Sequence, residues 1–72
     1  MEQNKKDLGL VVGANLKRLI KESNCKTQEE FAHQFGTSPR NVGRWVNEGI
    51  KNLDIIQQIA TFFDVDVLTL LS

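Results

Sequence analysis

The stretch from Thr27 to Gly49, TQEEFAHQFGTSPRNVGRWVNEG, restricts the possible folds more than any other part of the chain. It reads as two short helices joined by a tight turn. Thr27 is placed to cap a helix that starts at Gln28, and Glu30 stands at capping-box spacing from it. Phe31, Ala32 and Phe35 then fall on one apolar stripe. Gly36 stops this helix, because glycine adopts the left-handed backbone angle that a C-terminal cap needs. Ser38 caps the second helix, and Pro39 takes its first position, where a missing N–H costs nothing. Val42, Trp45 and Val46 give that helix its own apolar stripe. Helices this short are unstable alone in water, so they must pack on each other and on the remaining chain.

The T-Q-E-E opening, Ala32, Gly36, Val42 and Trp45 together resemble the helix-turn-helix of the phage repressor and Cro-like (XRE-type) DNA-binding domains. Each position has a physical reason. Ala32 lies where the two helices would cross, and a larger side chain there would push them apart. Gly36 makes the turn, and Val42 and Trp45 lock the second helix onto the core. The resemblance implies an all-α, compact five-helix, lambda-repressor-like domain.

The other segments fit that expectation. Residues 1–7, MEQNKKD, are polar and without periodicity, which predicts a flexible tail before a domain spanning 8–72. Residues 9–23 carry Val12, Leu16, Leu19 and Ile20 at helical spacing, with Leu8 as an extension of the stripe. Gly9 and Gly13 predict a loose first turn. Asn24, Cys25 and Lys26 form the connection, with Cys25 partly buried. After Gly49, Ile50 and Lys51 read as a linker to Asn52, which caps a fourth helix ending near Phe63. Asp66 caps a last short helix. The predicted core is Val12, Leu16, Leu19, Phe31, Ala32, Phe35, Val42, Trp45, Leu53, Ile56, Ile59, Phe63 and Leu70.

Composition excludes more than it selects. Seventy-two residues make one small domain. No apolar run approaches membrane-spanning length, and no secretory leader is visible at the start. With one cysteine, an internal disulfide is impossible, and the expected compartment is the cytoplasm. The formal net charge is zero. Its distribution is uneven: residues 1–51 hold all nine Lys and Arg and six of the nine acids, leaving +3, whereas residues 52–72 are at −3. One histidine and one cysteine cannot make a zinc site, so no metal or other cofactor is expected. Glu29 and Glu30 are adjacent on a helix and point apart, and no nucleophile comes with a base, so the chain is not expected to be an enzyme.

A recognition helix reads bases with the face it does not use for packing. With Val42, Trp45 and Val46 packed, Arg40, Arg44 and Asn47 share an exposed stripe. The resemblance implies that Pro39, Arg40, Gly43 and Arg44 occupy the base-reading positions. Arginine suits bidentate bonding to guanine, Pro39 offers only apolar contact, and Gly43 permits close approach. Gln28 matches a family glutamine that bonds a phosphate, and Asn41, Lys26 and Lys51 are further phosphate candidates. The implied partner is double-stranded DNA, a palindromic operator, and the implied role is that of a small bacterial or phage-type transcriptional repressor without a small-molecule ligand. A protein-interaction or antitoxin-like adaptor with little DNA affinity is the alternative, favoured by zero net charge, Pro39 and Gly43. The wide apolar face of the fourth helix leaves Ile55 and Phe62 at its edge. With Leu68, these are the expected contacts of a weak homodimer.

Overall fold

Every helix among the described residues starts where a short polar side chain accepts a backbone N–H that has no partner within the helix. The computed structural model describes residues 7–72, which form α1 (Leu8–Glu22), α2 (Gln28–Phe35), α3 (Pro39–Glu48), α4 (Leu53–Phe63) and α5 (Val67–Leu71). Gly9 N–H donates to Asp7 Oδ1 at 2.9 Å, Glu30 N–H to Thr27 Oγ1 at 3.1 Å, and Asn41 N–H to Ser38 Oγ at 3.2 Å. Asn52 Oδ1 accepts from both Asp54 and Ile55, and Asp66 Oδ1 from Leu68. The boundaries of α2 to α5 agree with those expected from sequence. Asp7, assigned there to the tail, is instead the cap of α1. The rest of that tail, residues 1–6, lies outside the described residues.

The core forms where α1 packs on α2, α3 and α5, with α4 joined to it through α5. Val12, Leu16 and Ile20 of α1 are buried with Phe31 and Ala32 of α2, Val42 of α3, Ile56, Ile59 and Ala60 of α4 and Leu70 of α5. Leu19, Phe35, Trp45 and Phe63 are half-buried against this group. Leu53 is a correction: it is 71% exposed. Its spacing from Ile56 and Ala60 matches the buried face, but at the first position of α4 its side chain is left in solvent. Leu8 is likewise exposed and adds nothing to the α1 stripe. In the other direction, Ile50 is buried although it reads as linker, and Cys25 is only 6% exposed.

The glycines of α1 have a positive role that propensity does not reveal. A Cβ built on Gly13 would stand 2.5 Å from the Trp45 carbonyl oxygen and 2.9 Å from that of Val46. The start of α1 therefore lies directly on the end of α3. Gly49, at φ +94°, continues the contact, since a Cβ there would meet Gly9 at 2.6 Å. Ile50 N–H then donates to Gly9 O at 3.1 Å, fastening the two chain segments. At the other end of the fold, Asn15 Nδ2 donates to Leu70 O at 2.8 Å, which holds α5 against α1.

Phe62, expected at a dimer contact, also has partners within the fold: it packs edge-on against Phe31 at 5.1 Å and Phe63 at 5.0 Å between ring centroids, meets Phe35, and stays partly exposed. Ile55 is half-buried against the same core. Of the three residues expected at a dimer contact, Leu68 alone is largely free, at 68% exposed.

Candidate nucleic-acid interface

The turn between α2 and α3 follows from its residues. Gly36 adopts φ +94°, and both Gly36 N–H and Thr37 N–H donate to Ala32 O at 2.9 Å, which ends α2. Ser38 then restarts the chain as a cap, with Pro39 preset for the first helical position. Ala32 is fully buried beneath this turn, as a close helix crossing requires. The capping box at Thr27 is only half formed. Thr27 Oγ1 accepts from Glu30 N–H, but the Glu30 carboxylate accepts from Gln34 Nε2 at 2.9 Å instead of reaching back.

Packing fixes which face of α3 is left outward. Val42 is fully buried, and Trp45 sits edge-on to Phe35 at 5.8 Å between centroids. Arg40, Arg44 and Asn47 are exposed on the opposite side, and Pro39 is exposed at the helix start. Gly43 is half-buried, yet a Cβ built on it would meet nothing within 4 Å, so its surface is open. The four residues expected at reading positions are thus neighbours on the first turns of α3.

Arg44 is not a free cation. Its Nε lies 3.8 Å from Glu48 Oε1, one helical turn on. Both residues line a shallow hollow shared with Asn41 and Asn52, between α3 and the start of α4. Asn41 is also partly engaged, its Nδ2 donating to Thr37 Oγ1 at 3.1 Å. That bond uses one of the two N–H donors of the Asn41 amide and leaves the other for a phosphate.

A second hollow forms at the start of α2. Lys17, Lys21 and Lys26 line it together with Thr27, Gln28 and Glu29. Lys26 and Gln28, both expected at phosphates, are therefore brought together. Lys17 and Lys21 join them although the sequence reading left them unassigned. Their spacing on α1 was visible, but the approach of α1 to the start of α2 was not. Lys26 holds the left-handed φ of +67° that turns the chain into α2. The N-terminal end of α2 favours negative charge, but Glu29 and Glu30 in its first turn partly offset this. Lys51 belongs to neither hollow: its stem passes over Gly9, beside the junction of α1 and the α3–α4 link.

No group of three or more His, Cys, Asp or Glu able to hold a metal ion occurs among the described residues. Nor is any described helix long and apolar enough to cross a membrane.

Residues 16–70 match the family model described as Helix-turn-helix. The fold is similar to the solution structure of the SOS-response transcriptional repressor LexA from Eubacterium rectale, with a TM-score of 0.77 and 25% sequence identity. That likeness covers 97% of this chain and 74% of the other. No match was found among curated proteins.

Proposed function

The chain belongs to the Helix-turn-helix family, and from that membership we propose that it binds double-stranded DNA sequence-specifically as a small bacterial or phage-type transcriptional repressor. The observation that carries this reading is the exposed stripe of Arg40, Arg44 and Asn47 on a helix whose other face is locked by Val42 and Trp45. A side chain can read base edges only if its helix is held rigidly and its polar face is left bare, and α3 meets both conditions.

In this account α3 enters the major groove. Arg40 and Arg44 bond guanine O6 and N7, Pro39 touches a thymine methyl, and Gly43 lets the backbone approach closely. Gln28 and Lys26 hold a phosphate at the start of α2, with Lys17 and Lys21 adding charge to the same hollow. Lys51 and Asn41 take further backbone contacts. Of these Asn41 is the weakest, since its amide donates to Thr37. The operator is palindromic and is met by a weak homodimer, as paired copies double the few contacts one domain can make. The similar structure is that of an SOS-response transcriptional repressor, which supports that role here. A genomic target puts the protein in the cytoplasm, and control comes from its concentration, from a partner protein, or from a larger system of which it is one piece.

One observation favours a second reading, that of a protein-interaction or antitoxin-like adaptor module. Pro39 and Gly43 put no hydrogen-bonding side chain at two of the four reading positions. A gel shift against genomic fragments at low and moderate salt separates the two readings. Selective retention of a few fragments at moderate salt is expected of the repressor. Uniform binding that vanishes with added salt, or no binding, would favour the adaptor.

A further inference from the structure

The last residue of α3 is an acid where helix electrostatics disfavour one. The C-terminal end of a helix carries partial negative charge, so a carboxylate at Glu48 is in an unfavourable place for stability. It is 69% exposed, so no packing need explains it either. What it has is Arg44, whose Nε stands 3.8 Å from Glu48 Oε1. Arg40, the other arginine on this face, has no carboxylate within ion-pair distance among the described residues. The two cations of the reading stripe therefore differ: one has a carboxylate beside it, and the other has none among the described residues.

We infer that Glu48 is a specificity-determining residue that acts through Arg44. This rests on the proposal that α3 enters the major groove. The carboxylate approaches on the Nε side, as an ion pair longer than a hydrogen bond, and leaves the two terminal amino groups of the guanidinium, the pair that can bond guanine O6 and N7 end-on. Glu48 thus attracts Arg44 on the side away from the atoms that do the reading. The same carboxylate opposes the competing arrangement. On a non-cognate duplex Arg44 gains most by turning to a phosphate. Doing so would strip Glu48 of its counter-charge and leave it facing a polyanion. Asn41 and Asn52, which line the same hollow, carry no charge that could replace the arginine. Glu48 therefore weakens non-specific binding more than specific binding.

The test is a set of fluorescence-anisotropy titrations. A duplex selected from a random library by the wild-type protein is compared with a scrambled duplex, across a range of salt. The proteins are wild type, Glu48→Gln, Arg44→Ala and the double variant. Glu48→Gln is expected to bind the scrambled duplex about two- to fivefold more tightly, the range of an exposed ion pair, without a matching gain on the selected duplex. In the Arg44→Ala background the same change should leave the ratio between duplexes unaltered. An equal gain on both duplexes, or a change of ratio that persists without Arg44, would overturn the inference by showing that Glu48 acts as bulk charge. If Arg44→Ala keeps the full wild-type preference, the groove reading of Arg44 fails and the inference falls with it. Glu48→Gln should melt at or slightly above the wild-type temperature, since it removes a charge from the wrong end of a helix.

Discussion

Gly13 rests on the carbonyl of Trp45 so closely that a methyl group on it would stand 2.5 Å from that oxygen. No side chain other than hydrogen fits there without moving α3 away from α1. This contact sets the position of the exposed stripe, because Trp45 lies on the same helix as Arg40 and Arg44. Stability and site geometry are thus coupled at one residue of the first helix.

Gly13→Ala therefore sets two effects against each other. Helix propensity favours alanine by about 1 kcal/mol. The clash involves backbone oxygens that cannot rotate aside, and overpacking of this kind costs roughly 1–3 kcal/mol. The net expectation is loss of stability, measured as a lower urea midpoint with an unchanged slope. A rise in the midpoint would mean that the helices are farther apart than described.

Ala32→Leu probes the other crossing. Ala32 is fully buried, and its carbonyl accepts both N–H groups of the turn. A leucine there should separate α2 from α3 and cost roughly 1–3 kcal/mol. Thermal unfolding at the wild-type temperature would count against the assigned crossing.

Self-association is expected to be weak and to depend on α5. Phe62 is committed to the aromatic cluster, so changing it would test folding rather than pairing. Leu68, 68% exposed, is the appropriate site. Sedimentation at rising concentration should show a growing dimer fraction that Leu68→Glu removes without lowering the melting temperature. A strict monomer at all concentrations, both free and on a palindromic duplex, would exclude the dimer.

The parts of this fold that were legible in sequence are those decided locally. Thr27, Ser38, Asn52 and Asp66 mark helix starts because a cap acts on N–H groups two or three residues away. Gly36 marks a turn through its own backbone angle. What was missed depends on residues distant in the chain. Gly9 and Gly13 look like weak helix formers until the α3–α4 link and α3 are laid against them. Ile50 looks like linker until its N–H finds Gly9 O. Leu53 has the spacing of a core residue but no neighbour to bury it. The same holds at the site. The exposed stripe of α3 follows from its period, whereas the grouping of Lys17 and Lys21 with Gln28 needs the packing of α1.

The central claim is that Arg40 and Arg44 read base identity while the start of α2 only positions the domain. The direct measurement is the affinity of Arg40→Ala, Arg44→Ala and Gln28→Ala for a selected duplex and for its single-base-pair variants. Each arginine variant should lose roughly 1–3 kcal/mol on the selected duplex and become indifferent to one guanine. Gln28→Ala should instead weaken binding evenly across all duplexes. Wild-type affinity and wild-type base preference in both arginine variants would contradict the account.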